Sequence, residues 1–432
     1  MIAEFSIENF FSVKSIQKIS FELTSDAYMS DEYSYKVKDD VRLLKLGIIY
    51  GSNASGKTNI LNAIDFFRML VLRMHKDRNE KTGVVPFLLD SNSRNETTKM
   101  SMTFYLNQLK YILSFELDSK CIHSESLTVY ESIRPTKLYS RSYNPETDSS
   151  IIEFGTNLKL SKKSKDTISG NTINNSSVLA AFGKSNVEKT KLNDVYDYFA
   201  KQVKDILTPS VLLSGYIKKH LNKDDSGELK NFILNFLKAS DFNIEDIALH
   251  EDEELITPEL EQLIQNAPID DIAKVEMLKK GVVTNTELTF THKAGEDLYD
   301  LPEKYESNGT MRFLGMAVIL NFLLKENQFV IIDEVETSIH YELLAYFIKV
   351  FLANSNGTSQ LLLTTHDINL LNEGFIRRDT IWFTDKDELG ETKVFRLSSL
   401  GLHKNLSPYN AYRQGKLVKL PFLGSQYLNL ND

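Results

Sequence analysis

Gly51-Ser52-Asn53-Ala54-Ser55-Gly56-Lys57-Thr58 is the stretch on which the fold of this chain turns. Its spacing fits a loop whose successive backbone N–H groups cradle an anion, provided that a strand feeds it and a helix leaves it. Leu43 to Tyr50 reads as a buried strand, and Asn59, Ile60, Leu61, Ala63, Ile64, Phe67 and Met69 continue as a mostly apolar helix. The helix N-terminus then opens onto phosphates. Lys57 would bring a point charge to the β and γ phosphates, and the Thr58 hydroxyl would help hold a magnesium ion that keeps several of its waters. The residues expected to bind the nucleotide here are Gly51, Ser52, Asn53, Ala54, Ser55, Gly56, Lys57, Thr58 and Asn59.

Two later stretches complete this chemistry. Gln328-Phe-Val-Ile-Ile-Asp333-Glu334-Val-Glu336 is an apolar run ending in acids, as expected of a buried parallel strand whose C-terminal end carries carboxylates. Asp333 is expected to hold magnesium with Thr58. Glu334 is expected to polarise the attacking water, a general-base task worth about 10² to 10⁴ in rate. Gln360-Leu-Leu-Leu-Thr-Thr-His366-Asp367 has the same character and ends in a histidine that can reach a γ phosphate. Upstream, Glu306-Ser307-Asn308-Gly309-Thr310 precedes an apolar helix from Met311 to Leu324, and a Ser and a Gly at a helix start suit either an anion site or a plain cap.

The totals limit the alternatives. A chain of 432 residues exceeds one typical domain and suggests two or three units. A formal net charge of -9 argues against the whole molecule acting as a nonspecific polyanion binder, although a local basic patch is compatible with it. One cysteine, Cys121, excludes an internal disulfide framework and fits a reducing compartment as a packing residue. The first residues carry neither a basic n-region nor an apolar h-region, and no apolar run reaches the roughly 18 residues of a membrane span. A cytoplasmic protein without membrane contact is expected.

Ile2 to Leu23 alternates on either side of Asn9-Phe10-Phe11-Ser12, suggesting two short strands and a turn. Met100, Met102, Phe104 and Leu106 alternate, Asn107-Gln108 offers a turn, and Tyr111, Leu113, Phe115 and Leu117 alternate back. These strands predict an antiparallel subdomain beside the nucleotide. From Tyr139 to Ser177 the composition turns to Ser, Asn, Thr and Lys, read as irregular strands and exposed loop, with Lys159, Lys162, Lys163 and Lys165 either a solvated run, the favoured reading, or a DNA contact. From Leu179 to Leu278 the signals turn helical, with Leu229, Phe232, Ile233, Phe236 and Leu237 on one face. The acidic run Glu251 to Glu254 lacks ligand spacing and reads as surface. The partition is thus residues 1–135 and 282–432 as two parts of one nucleotide-binding head, with 136–281 a loop and helical insertion.

With these elements in this order, the chain resembles the ABC-type ATPase heads of the RecF, SMC and OLD group, over residues 1 to about 135 and 282 to 432. Asn9 to Ser12 is similar to the group's N-terminal strand turn, Ser307 to Thr310 to its degenerate signature, Asp333, Glu334, Glu336 and His340 to its DExExxxH pattern, and His366 to its switch histidine. More narrowly, Tyr50 to Asn62, Glu306 to Thr310, Thr364 to Leu371, Arg377 to Phe383 and the tail from Tyr412 through Pro421 resemble the AAA15/AAA21 ATPases of bacterial phage defence. That set includes the ATPases of AbiL-type abortive infection, PARIS and Septu. Two departures stand out: Tyr341 replaces a common proline after His340, and Asn308 occupies a position that is glycine in ABC transporters. Val85-Pro86-Phe87 is the candidate region for a Q-loop, with no glutamine assigned.

The resemblance implies an α/β P-loop NTPase fold of the ABC-ATPase type with an antiparallel β subdomain and a helical insertion. It implies ATP and Mg2+ as cofactors, with Glu334 and His366 catalytic and Thr58 and Asp333 on the metal. In a homodimer or higher homo-oligomer, Ser307, Asn308 and Gly309 of one subunit would close over ATP on another. The 66 residues after His366 are too few for the Toprim nuclease domain of OLD proteins, so a Toprim (RloB-like) or HNH effector is expected as a separate protein. The resemblance thus implies an ATP-gated sensor and scaffold in anti-phage defence. The alternative is a DNA repair or maintenance ATPase that clamps DNA; an ABC transporter ATPase suits the long insertion poorly.

Overall fold

The apolar run before the loop divides into two strands rather than one. Val41–Leu44 pairs antiparallel with Ser34–Lys38, whereas Leu46–Tyr50 enters the central sheet with all five residues buried. Lys45 lies between them, and its buried ammonium donates to the Ser355 carbonyl at 2.6 Å, so the chain changes partners with this buried group hydrogen-bonded. The computed structural model describes all residues except 39, 212, 267–270, 402–405 and 420–432, and for 271–273 and 276 the backbone alone. The tail similarity through Pro421 therefore falls partly outside the described residues.

By contact the chain forms two units: Met1–Pro209 with Leu323–Thr337 and Ile348–Asp432, and Ser210–Phe322 with Ser338–Phe347. In the first unit, a six-stranded sheet runs in the order Val203–Leu207, Phe329–Ile332, Gln360–Thr365, Leu46–Tyr50, Ile381–Lys386, Thr392–Arg396. The first five strands are parallel and the last is antiparallel. The register aligns Ile332 with Leu363 and Thr365 with Tyr50, so the C-terminal ends that carry Asp333, His366 and Gly51 meet at one edge. Ligands of open α/β sheets gather at that edge.

The second sheet of this unit is antiparallel, in the order Ser149–Phe154, Thr136–Asn144, Ile122–Tyr130, Leu109–Leu117, Thr98–Leu106, Ile2–Glu8, Gln17–Ser20. The alternation around Asn107-Gln108 forms a hairpin there, with both turn residues at positive φ, 49° and 64°. The helix Lys57–Leu72 leaves the phosphate loop and buries Phe67 against Phe5, Phe115 and Phe199, which ties the loop to this sheet.

Residues 136–209 belong to this unit, including two strands of the antiparallel sheet and the edge strand Val203–Leu207 of the central one. Tyr139 to Ser177, read as irregular, contains regular strands and the helix Lys162–Asn171. Ser142 and Ser149 are exposed on these strands, whereas Leu138 and Tyr139 are buried.

In the second unit, the predicted helix appears as Glu228–Lys238, with Leu229, Ile233, Phe236 and Leu237 buried. Phe236 stacks on Phe313 and Tyr346, at 5.0 and 5.4 Å between ring centroids. The unit is not helical throughout: Ile244–Leu255, Val282–Ala294 and Asp297–Pro302 form an antiparallel sheet, and the acidic run Glu251 to Glu254 is an exposed strand segment paired with Val283 to Thr286. Charge masked the strand, because the partner backbone satisfies its ladder while every side chain of the run stays in water.

Candidate nucleotide site

Backbone shape comes first. Ala54 and Gly56 have positive φ, 62° and 103°, so the loop curls before the helix begins at Lys57. Only glycine fits at two points. A Cβ on Gly51 would overlap the Thr384 and Ser55 hydroxyls and approach the Thr384 carbonyl oxygen to 2.7 Å, and one on Gly56 would overlap the Thr392 hydroxyl. The loop is braced from behind by neighbouring strands. The Ser55 hydroxyl meets that of Thr384 at 2.7 Å, and the Thr392 hydroxyl donates to the Ser55 carbonyl at 3.0 Å. Ser12, from the Asn9 to Ser12 turn, bonds the Thr392 hydroxyl at 2.8 Å and accepts from Asn59 Nδ2 at 2.7 Å.

The catalytic candidates gather in front of the loop. Thr58 Oγ1 donates to Asp333 Oδ2 at 2.8 Å, and the Thr364 hydroxyl donates to Asp333 Oδ1. The same Thr364 oxygen accepts the Glu334 N–H at 2.8 Å, at a residue held at φ 44°. His366 Nε2 lies 3.8 Å from Glu334 Oε1, and the His366 N–H donates to Glu336 Oε1 at 2.6 Å. Lys57 Nζ folds back over the loop, donating to the carbonyls of Gly51 and Ser52 at 3.0 and 3.3 Å and lying 3.0 Å from His366 Nε2. Asn53 to Asn59, Glu334, His366 and Lys386 line the cleft, and all belong to the first unit.

Burial lowers the pKa of Lys57 against the opposing pull of Asp333, Glu334 and Glu336. Burial and then the Lys57 charge lower that of His366 below 6.5, so its imidazole is neutral near pH 7 and can accept from Lys57. The residues fit a magnesium nucleotide on three counts. A hydroxyl and a carboxylate are the hard oxygen donors this ion takes, the glycine-shaped cradle is lined by backbone N–H groups, and Glu336 Oε2 is buried without a partner among the described residues. Thr58 and Asp333 would hold the ion, which would draw charge from the β and γ phosphates.

Ser307, Asn308 and Gly309 belong to the second unit, where Ser307 Oγ accepts from the Thr310 N–H at 3.0 Å at the start of the helix Asn308–Lys325. The cap reading is therefore realised, while Ser307 and Asn308 remain exposed. A Cβ on Gly309 would come within 2.7 Å of the Ser338 carbonyl, so this glycine has a packing reason of its own. Tyr341 opens the helix Tyr341–Asn354, where proline is also at home, and His340 Nδ1 accepts the Glu342 N–H at 3.3 Å as its cap. The turn tolerates tyrosine there.

Sequence reading missed Ser12 and Asn59 as a brace, Thr364, Thr384, Thr392 and Lys386. Lys386 had a usable signal: Ile381 to Lys386 is another apolar run that ends in polar groups, as the Asp333 and His366 strands do.

A model of the family described as "AAA domain, putative AbiEii toxin, Type IV TA system" matches residues 47–372. No curated protein sequence gives a significant match. Among solved structures, the SMC head domain from Thermotoga maritima aligns at 13% identity over 91% of this chain and 98% of its own, with a TM-score of 0.41. An SMC head bound to the C-terminal winged-helix domain of ScpA aligns at 14% over 92% and 99%, TM-score 0.46. An SMC head with an extended coiled coil bound to the C-terminal domain of ScpA, from Pyrococcus furiosus, aligns at 12% over 92% and 97%, TM-score 0.38. No helix among the described residues is long and apolar enough to cross a membrane.

Proposed function

The chain belongs to the AAA_21 family of AAA domains, and from that premise we propose that it is a magnesium-dependent ATPase whose nucleotide state controls a separate effector protein in anti-phage defence. The observation that carries the hydrolytic part is the linked set Thr58, Asp333, Thr364 and Glu334 beside Lys57 and His366. Lys57 leaves the Gly51 and Ser52 carbonyls to pair with phosphate, a stronger charged partner. Asp333, one oxygen of which takes the Thr364 hydroxyl, would hold the metal ion together with Thr58. Glu334, tied through its N–H to Thr364, takes the proton of the attacking water, and His366 donates to the γ phosphate.

The cleft is lined by the first unit, and the exposed Ser307 and Asn308 are free to meet a nucleotide on a second copy of the chain. ATP that is bound well only by the assembled pair shifts the equilibrium toward closure, and hydrolysis releases it. A DNA-clamping ATPase is the second reading, favoured by the exposed Lys159, Lys162 and Lys163 on the first unit. DNA binding that strengthens with ATP and falls with salt would support it.

The test is ATP turnover and oligomeric state of wild type and Glu334→Gln. The variant should bind ATP, turn it over about 10² to 10⁴ times more slowly and accumulate as a dimer, whereas equal turnover would remove Glu334 from the role of base.

A further inference from the structure

A second set of metal-ligating side chains lies outside the cleft, where the hairpin of Leu109–Leu117 and Ile122–Tyr130 turns. Asp118, Cys121 and His123 bring one ligand atom each to within 4.8 Å of one another. His123 Nε2 is 2.9 Å from Asp118 Oδ2 and 3.8 Å from Cys121 Sγ. With metal–N, metal–O and metal–S bonds of about 2.0 to 2.3 Å, a tetrahedral zinc ion sets its ligands about 3.3 to 3.6 Å apart. The two distances bracket that span.

One feature separates this trio from a nucleophilic relay. A relay uses both nitrogens of the imidazole, one for the thiol and one for the carboxylate. Here both partners face Nε2. If that nitrogen donates to Asp118 it has no lone pair for the Cys121 thiol, so the hydrogen bond accounts for one contact and leaves the thiol proton without an acceptor there. Convergence of three ligands on one point is what an ion requires.

The ligands are also held in place. Asp118 Oδ1 accepts the N–H groups of Lys120 and Cys121 at 2.7 and 2.9 Å, which leaves Oδ2 to face the histidine. The Asp118 carbonyl takes the Thr82 hydroxyl at 2.6 Å, and the His123 ring packs edge-on against Tyr143. Outer partners of this kind fix ligand orientation in metal sites. Cys121 is buried, Asp118 and His123 are half-buried, and a cleft opens beside them.

We propose that Asp118, Cys121 and His123 bind one Zn2+ per chain, with water from the cleft as fourth ligand. A thiolate, an imidazole and a carboxylate suit this borderline-soft ion, whereas the hydroxyl and carboxylate at Thr58 and Asp333 suit hard Mg2+. The two sites thus select different metals, and zinc pins a hairpin in the middle of the antiparallel sheet onto which the loop helix packs.

The full chain, stripped of metal, is titrated with Co2+ and then Zn2+. Wild type should show a thiolate-to-cobalt charge-transfer band at about one equivalent, displaced by zinc, and Cys121→Ser should lose it. Because Cys121 is the sole cysteine, its reaction with a thiol reagent should slow on adding zinc and recover with a chelator, in wild type alone and without any variant. A wild type with no band and an unprotected thiol would overturn the site, as would a band that survives Cys121→Ser in a chain still folded by the fluorescence of Trp382.

Discussion

Gly56→Ala tests the loop geometry most directly. Gly56 has φ 103°, where an L side chain costs about 1–2 kcal/mol. Its new Cβ would overlap Thr392 Oγ1 and lie 2.8 Å from Thr392 Cγ2 and 3.0 Å from Ser12 Oγ. Thr392 cannot swing away freely, since its N–H donates to the Ser12 carbonyl at 2.7 Å and its hydroxyl is shared between Ser12 and Ser55. Overpacking of this kind costs about 1–3 kcal/mol, so the substitution should destabilise the first unit by about 2–5 kcal/mol. With a urea dependence of about 3 kcal/mol per molar, the midpoint should fall by about 0.7–1.7 M. The chain has one tryptophan, Trp382, in the strand beside the loop strand, so its fluorescence reports the unfolding of this unit. Thr392→Ala removes the overlap but not the φ strain. In that background Gly56→Ala should cost only about 1–2 kcal/mol, a coupling of about 1–3 kcal/mol. An unchanged midpoint for Gly56→Ala would refute the strain, and a cost independent of Thr392 would refute the collision.

The pair Glu125 and Arg141 is fully buried at 3.7 Å, with Arg141 also donating to the carbonyls of Ser176 and Asn174 at 2.5 and 2.8 Å. Arg141→Met strands the carboxylate and should cost about 3–5 kcal/mol in urea unfolding at pH 7. Burial already raises the Glu125 pKa, so the loss should shrink as the pH falls and the carboxyl takes up its proton. His366 is held below 6.5 when folded, by burial and then Lys57. The unfolded chain therefore binds the proton first on acidification, and its contribution should lower stability as pH falls from 6.5 toward the folded value. His366→Asn should flatten that part of the stability curve, and an unaltered slope would show that the imidazole is not depressed.

Much of the site was legible because its chemistry is local. Gly51 to Thr58 lies within eight residues, and Asp333 and Glu334 follow an apolar run whose strand character period and length express. The strand order was not legible: the His366 strand sits between the loop strand and the Asp333 strand, and Val203–Leu207 joins the sheet edge from a stretch read as helical. Five residues such as Val203 to Leu207 carry too little periodicity to separate strand from helix, and only pairing with Phe329 to Ile332 decides. The acidic strand Glu251 to Glu254 failed for the complementary reason, since its side chains never need burial.

By itself the sequence determined that an anion cradle precedes a helix and that carboxylates and a histidine end buried strands, because these depend on residue type and short spacing. Tertiary structure decided which of them meet. Thr364, 31 residues from Asp333, joins that carboxylate to the Glu334 N–H, and Ser12, Thr384 and Thr392 brace the loop, with Thr392 lying 337 residues along the chain from the Ser55 it holds. Hydrogen bonds reach about 3 Å and carry no trace in local spacing, so partners brought together by sheet register appear only once the strands are paired.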